Sequence, residues 1–542
     1  MDRVVGKEIT LQSNWFSRIS THARLEAPTL AEWLAALSSS ILLVLAFPMF
    51  NIFPLAWVGL VPLLVVIARR PSSGRSFILG WTFGTLFFFA SCSWLTYSMI
   101  HFGGLSPLVA YLLLLLPSLL VGLFPGLFAL FISITVRRFG LVAIFTAPLF
   151  WSALEWCRLE VTGQLWNAIG YSQAEAFSGV LIQSAKWGGV YVVGALLVTL
   201  NAAIAFLLLD RTRRALVALV ISTFVLSLLI ATANLTTRHA SGSPYLNVLA
   251  LQPNVPESLS KSNDELKELF NRHLTMSREA LASLGHNHLP TLVVWPESPM
   301  NFTYATDAEF RAAVTKFAVE NHTSLLFNSL EPAPDEGGYN SAMLINEDGR
   351  VIAQYDKIRL MPFGEYVPLP RWIPGASLVT ALVGEFTPGN KFVLMPVAGH
   401  QAGTFICIES AYPFIAREFA ANGADFLINI SNDGYLGPTA VMHQHLGNAI
   451  FRAVENGLPL VSVTNSGVSA LVGRDGVVHN PTDGFQIAIR KWQLDDSIAN
   501  KTFYTRHGDV FAWVTVASTI LILLTCLIAQ MRSSKVSRWK RI

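Results

Sequence analysis

PLVAYLLLLLPSLLVGLFPGLFALFISITVRR, residues 107–138, carries no charged side chain until Arg137 and Arg138 close it. A helix needs about 20 apolar residues to cross a bilayer core. This run is therefore a membrane span, long enough to tilt or to kink at Pro117 or Pro125, each of which lacks a backbone donor. The composition of the whole chain agrees. Of 542 residues, 52% are hydrophobic and only 13% charged, against about 25% charged in an ordinary soluble protein. A purely cytosolic globular enzyme, a disordered chain and a fibrous repeat are excluded. By the same length criterion about eight transmembrane helices are expected, at 31–48, 52–68, 77–100, 107–136, 141–157, 188–209, 215–233 and 510–530.

Lys and Arg set the orientation of such a chain. Arg3, Lys7, Arg18 and Arg24 precede the first expected span, and Arg69, Arg70 and Arg75 follow the second. Arg137 and Arg138 follow the fourth, and Arg211, Arg213 and Arg214 the sixth. Arg532, Lys535, Arg538, Lys540 and Arg541 follow the eighth, whereas the short connections at 49–51 and 101–106 hold no Lys or Arg. All the basic clusters then fall on one side. Both termini are expected in the cytoplasm of a multi-pass bacterial inner-membrane protein, with 234–509 on the periplasmic side. The expected organisation is a cytoplasmic tail over 1–30, a seven-helix membrane body over 31–233, a folded domain over 234–509, a C-terminal span over 510–530 and a basic cytoplasmic tail over 531–542. No obvious cleavage site follows the first apolar run, so it reads as an uncleaved anchor. The loop 158–187 falls on the outer side, where Trp166 and Tyr171 suit either a membrane-interface stretch or a re-entrant connector. A net charge of +3, from 38 Lys+Arg and 35 Asp+Glu, exerts no general pull on nucleic acid.

Segment 234–509 has ordinary soluble composition. Short β-rich runs recur at 245–251, 291–295, 323–328, 342–345, 403–408 and 425–430, with helix-like stretches at 263–283, 307–320, 411–421 and 440–456. Alternation of this kind predicts an α/β layered domain. Chemistry-bearing residues stand at its strand ends: Glu297 after VVWP, Cys407 at the end of GTFI, and Asn432 and Asp433 after INIS. Lys357 and Glu365 share the polar stretch QYDKIRLMPFGEYVP.

Taken singly, each has a bland alternative. Cys407, the one cysteine of this segment, reads as a buried small hydrophobe or as a nucleophile. Glu297 reads as a solvated charge or a base, Lys357 and Glu365 as surface ion pairs, and Asp433 as a turn residue. Together they form an acyl-transfer set. A thiol needs a base, a carboxylate supplies one when burial raises its pKa, and a cation stabilises an oxyanion. The other cysteines, Cys92, Cys157 and Cys526, form no CxxC or Cys/His pair, so neither a zinc site nor a disulfide framework is expected. The apolar stretch 369–384, with Trp372, Ile373 and Leu378, covers either the domain core or a lid beside the site.

WPES at 295–298, YDKIRLMPFGEYVP at 355–368, CIES at 407–410 and ISNDGYLGP at 430–438 resemble the carbon–nitrogen hydrolase (nitrilase) superfamily. Joined to a multi-span body, and with WLTYSMIHFGG at 94–104, TGQLWNAIGYSQ at 162–173 and LQPNVP at 251–256, the chain resembles the apolipoprotein N-acyltransferase family over nearly its whole length. The resemblance implies an α-β-β-α sandwich for the periplasmic domain. It also implies Glu297 as general base, Lys357 as oxyanion stabiliser, Cys407 as nucleophile, and Glu365 and Glu409 in support. Trp372, Ile373, Leu378, Asn432, Tyr435 and Trp166 are candidate substrate or lid residues. The implied reaction passes a fatty acyl chain from a phospholipid, typically phosphatidylethanolamine, through a Cys407 thioester to the N-terminal amine of a diacylglyceryl-cysteine lipoprotein. Phospholipid, diacylated apolipoprotein and the bilayer are the expected partners of a monomer, with no nucleic acid, metal or organic cofactor. The chain departs from the family pattern at Ser260 and Lys261, Ile408, Tyr435 and Leu436, Leu458 and Ser462. Those positions bear on donor and client preference and leave the three central residues intact. The competing readings are a membrane-tethered amidase, disfavoured because a small soluble substrate needs no lipid-facing body, and a non-catalytic scaffold or transporter, disfavoured by the intact Glu297, Lys357 and Cys407.

Overall fold

The computed structural model describes residues 27–235, 242–258, 261–285, 289–298, 300–334, 337–367, 386–496 and 501–539. The membrane body comprises α1 (Leu30–Ala46), α2 (Val61–Arg69), α3 (Ser73–Ser91), α4 (Leu95–His101), α5 (Pro107–Phe139), α6 (Ala147–Thr162), α7 (Val190–Asp210) and α8 (Arg213–Leu235). The expectation of about eight transmembrane helices is corrected here. Among the described residues, four helices are long and apolar enough to cross a membrane: α5, α7, α8 and the C-terminal helix that begins at Val510. The number rises to five if α3 and α4, bent by 53° at their junction, make one span.

The reason lies in helix continuity, which a count of apolar residues ignores. At about 1.5 Å per residue, the 17 residues of α1 rise about 26 Å, short of a core about 30 Å thick. The run 52–68 contains Pro54 and Pro62, and only its last part, Val61–Arg69, is α-helical after a 3-10 turn at Phe53–Trp57. The run 141–157 opens with a 3-10 turn at Leu141–Thr146, after Gly140 at φ +78°, and leaves 16 residues for α6. By contrast α5 continues for 33 residues through Pro117 and Pro125. Its neighbour α3 accommodates it with Gly80 and Gly84, where an added Cβ would lie 2.4 Å from the Pro125 carbonyl oxygen and 2.6 Å from the Pro125 ring. Small residues at a helix crossing permit this backbone approach. Helix α8 leaves Leu216, Val217, Val220, Ile221, Phe224 and Leu228 exposed, an outward apolar face suited to lipid.

The α/β domain has two six-stranded sheets. The first runs β12 (Ala488–Asp495), β1 (Pro244–Gln252), β2 (Thr291–Val294), β3 (Ser324–Pro332), β4 (Gly338–Ile345), β5 (Val351–Asp356), and the second β11 (Val478–His479), β10 (Ala470–Val472), β9 (Leu460–Thr464), β8 (Phe426–Ser431), β7 (His400–Ile406), β6 (Leu394–Val397). Successive residues of a strand face opposite sides, and both sides of β1 (Pro244–Gln252) are buried. Leu249 and Leu251 pack with Phe310, Val314 and Phe317 of the helix Ala308–Glu320, while Val248 and Ala250 join Phe405, Ile428 and Val461 of the second sheet. The helices Asn263–Ala282 and Ala308–Glu320 flank the first sheet, and Pro413–Ala421 and Val441–Asn456 the second. The layers are therefore α-β-β-α. Ser262 and Asp307 accept backbone N–H groups at the starts of the first two of these helices, at 3.2 and 2.9 Å, the usual capping of orphan donors.

The helix Val441–Asn456 joins the domain to the membrane body. Gln444 accepts the indole N–H of both Trp94 (3.0 Å) and Trp166 (2.6 Å) and donates to the carbonyls of Ser91 and Pro48. About two turns further on, Arg452 donates to the Tyr171 hydroxyl and pairs with Glu455, which accepts the backbone N–H of Val190 at 3.0 Å. Arg452 and Glu455 are fully buried.

Candidate active site

Four strand ends converge. Glu297 follows β2 (Thr291–Val294), Lys357 follows β5 (Val351–Asp356), Cys407 follows β7 (His400–Ile406), and Asn432 and Asp433 follow β8 (Phe426–Ser431). The Lys357 ammonium is buried, 2.9 Å from Glu365 Oε1 and 3.4 Å from Glu297 Oε1. Burial opposes its charge, but the Glu297 and Glu365 carboxylates outweigh burial and hold its pKa well above the ordinary lysine value. Asn340 divides the two acids: its Nδ2 donates to Glu297 Oε1 at 2.8 Å and Glu365 Oε1 at 2.7 Å, and its Oδ1 accepts from Asn328. Glu365 Oε2 also accepts the Met361 N–H.

Cys407 adopts φ +54°, a left-handed conformation that costs a non-glycine residue about 1–3 kcal/mol. Its surroundings enforce it. The Cys407 carbonyl accepts from His445 Nε2 at 2.9 Å and Asn429 Nδ2 at 3.3 Å. On the other side of the ring, His445 Nδ1 meets Asp433 Oδ1 at 2.9 Å. Burial alone would discharge His445, but the Asp433 charge raises its pKa overall. Gly467 is required behind this pair, since a Cβ there would lie 1.9 Å from Asp433 Oδ2. Burial, and then the Glu297 charge, push the Cys407 thiol far above the ordinary cysteine range, with Lys357 opposing. A group so placed favours its thiol form, and it could act as a nucleophile only where a base accepts its proton.

Glu409 fixes two strand ends at once. One of its oxygens accepts the N–H groups of Ile358 (2.8 Å) and Arg359 (3.0 Å), and the other accepts that of Ile406 (2.8 Å). The Tyr355 hydroxyl completes the set at 2.8 Å. Burial raises Glu409 to about 7, against the lowering effect of these donors. It thereby ties the lysine strand to the nucleophile strand. Glu409→Gln puts an NH2 group against backbone donors, at about 1–3 kcal/mol for each donor left unpaired. We expect a lower thermal midpoint and turnover slowed roughly 100-fold, measured by unfolding scans and single-turnover kinetics.

Of the other sequence candidates, Asn432 donates to Glu257 and accepts from Gly434 and Asn465. Tyr435 is 45% exposed and stands 5.2 Å from the Phe102 ring. Trp166 and Tyr171 are buried against the α/β domain, 6.2 Å from the His445 ring and 4.9 Å from that of Phe451 respectively. Trp372, Ile373 and Leu378 lie outside the described residues. Sequence reasoning missed Asn340, His445 and Gln444, which belong to no strand-end motif, and treated Asp433 as a turn residue. Among the described residues no group of three His, Cys, Asp or Glu side chains is placed to hold a metal ion.

Two family descriptions match the chain: "Apolipoprotein N-acyltransferase N-terminal domain" over residues 39–203 and "Carbon-nitrogen hydrolase" over 251–499. The chain is 30% identical to an apolipoprotein N-acyltransferase of Bradyrhizobium diazoefficiens over 525 residues, covering 90% of this chain and 94% of that one. It is 29% identical to that of Geobacter metallireducens over 503 residues, covering 91% and 94%. Among solved structures it is similar to an amidase from Nesterenkonia sp., at 19% identity and TM-score 0.36, over 50% of this chain and 95% of that one.

Proposed function

Because this chain belongs to the apolipoprotein N-acyltransferase family, we propose a residue-by-residue account of its acyl transfer. The protein is a membrane acyltransferase of lipoprotein maturation. In our reading Glu297 takes the Cys407 proton as the sulfur attacks the ester carbonyl of a phospholipid, with phosphatidylethanolamine as the donor. Lys357 meets the oxyanion. Glu297 then returns the proton to the departing lysophospholipid oxygen, leaving a Cys407 thioester. The amine of a diacylated apolipoprotein attacks the thioester, and the amide product leaves. Glu365 and Glu409 hold Lys357 and the two strand ends in place.

The observation that carries this reading is the buried Glu297–Lys357–Glu365 set beside a strained Cys407, in a domain bonded through Gln444 and Arg452 to a lipid-facing body. Both substrates are lipid-anchored, so a site docked on such a body meets them where they reside. Orientation belongs to the same reading. Arg75 pairs with Glu32 near the start of α1, and Arg137 and Arg138 close α5. These are the helix ends remote from the α/β domain, which meets the opposite ends at Pro48, Ser91 and Val190. That polarity supports a periplasmic site and basic clusters in the cytoplasm.

The test is intact mass of the purified protein after incubation with phosphatidylethanolamine. A fatty-acyl adduct removed by hydroxylamine is expected, and a diacylated lipopeptide should discharge it as N-acyl peptide. Discharge to free fatty acid alone would favour an amidase-like hydrolase, and no adduct from any phospholipid would refute the thioester route.

A further inference from the structure

Glu257 stands at the edge of this centre with no task in the account above. Its Oε1 accepts from Asn432 Nδ2 at 2.5 Å. Its side chain lies against the turn that follows β8, where a Cβ on Gly434 would come 2.7 Å from Glu257 Cγ. Among the described residues Glu257 Oε2 is shielded from solvent yet accepts no hydrogen bond. The charged and titratable groups that face it are Glu297, Lys261 and Tyr435. Lys261 Nζ is likewise shielded and makes no hydrogen bond among the described residues. Burial raises the Glu257 carboxyl to about 7, with Asn432 and Lys261 lowering it and Glu297 raising it further. The Tyr435 hydroxyl feels both Glu257 and Glu297. A shielded acceptor without a donor is destabilising, and a ligand that supplies the donor removes that cost.

The chemistry of the second step has a matching gap. An α-amine arrives as an ammonium, R–NH3+, and leaves as an amide, R–NH–CO–R′. Two protons must go. One ends on the departing Cys407 sulfur, carried by Glu297, which is again a carboxylate once the thioester has formed. The other has no acceptor within the Glu297–Lys357–Cys407 set.

We propose that Glu257 is a subsite for a primary ammonium group, and that when the acceptor lipoprotein occupies it, Glu257 Oε2 takes the proton that otherwise has no acceptor, before the N–C bond forms. The nitrogen lone pair so freed forms the N–C bond, the C–S bond breaks, and the second proton passes through Glu297 to sulfur. This rests on the acyl-transfer reading above. The same chemistry exists in two sources, the N-terminal ammonium of the acceptor and the ethanolamine head group of the donor.

The experiment separates the half-reactions in the full-length protein, with E257Q beside the native chain. Thioester formation is timed from phosphatidylethanolamine and from phosphatidylglycerol, which has no ammonium. Discharge is timed with a diacylated lipopeptide and with hydroxylamine, a nucleophile largely uncharged near neutral pH. For an acceptor subsite, E257Q discharges to lipopeptide at least about tenfold more slowly, while loading and hydroxylamine discharge proceed at native rates. For a head-group subsite, loading slows from phosphatidylethanolamine alone. Unchanged rates in every arm overturn the proposal, as does equal slowing with both donors or with both nucleophiles. A native chain that never loads fatty acid overturns the acyl-transfer reading instead, and E257Q has no part in that result.

Discussion

Cys407→Ala should show no fatty-acyl adduct and no transfer, with turnover down by at least about 10^4-fold, while its unfolding midpoint stays close to native. Removing one sulfur from a half-buried position costs little packing, and the His445 and Asn429 bonds go to the Cys407 carbonyl rather than its side chain. Cys407→Ser is the sharper comparison. The site has already pushed the thiol far upward through burial and the Glu297 charge. A hydroxyl starts from a much weaker acidity, so Glu297 would have to remove a far less available proton. An ester would also replace the thioester, with a poorer leaving group for the amine. Both half-reactions should therefore slow, and Cys407→Ser should accumulate little adduct. In the native chain the same upward shift means that alkylation by iodoacetamide should be slow up to pH values near the ordinary thiol range, about 8.5. Rapid alkylation at neutral pH would contradict a resting thiol.

Lys357→Met carries the second-largest effect. The substitution keeps the length of the side chain and removes its charge. Loss of an oxyanion partner slows acyl transfer by about 10^2–10^3-fold. A further penalty falls on the folded state, since Glu297 and Glu365 keep Asn340 as a shared donor but lose their cation. Breaking a buried pair in this way costs about 3–5 kcal/mol, which should appear as a lower thermal midpoint. Glu365→Gln in the same background should recover part of that midpoint by removing one uncompensated charge, without restoring activity. Recovery of stability together with continued inactivity would separate the electrostatic role of Lys357 from its catalytic one.

The residues at strand ends were legible because an α/β domain alternates apolar runs with polar breaks. The runs at 245–251 and 425–430 coincide with β1 and β8, and the stretches at 263–283 and 440–456 with helices. Glu297 and Cys407 stood out as strand-end residues for the same reason, whereas Lys357 stood out only in the polar stretch QYDKIRLMPFGEYVP, since the strand Val351–Asp356 before it was not expected. Asn340 was not. It sits within a strand, and its value comes from facing two carboxylates that lie 43 and 25 residues from it along the chain. His445 is similar: only the packing of its helix against β9, β10 and the turn Cys407–Ala411 brings it to the Cys407 carbonyl.

The number of membrane-crossing helices shows the opposite limit. Hydropathy counts side chains, whereas a span also needs an unbroken backbone ladder, and Pro54, Pro62 and Gly140 interrupt it. The sequence by itself determined that the chain is apolar enough for a membrane, that it carries one polar α/β insert, and that a thiol and a carboxylate stand at strand ends with a lysine in a polar stretch of the same insert. These follow from composition and periodicity, which are local. Only the tertiary structure decided how many helices run long enough to cross, which side chains orient the nucleophile, and that Gln444 and Arg452 bond the domain to the membrane body. Those depend on distances between residues remote in the chain, and burial and hydrogen bonding act through space rather than along sequence.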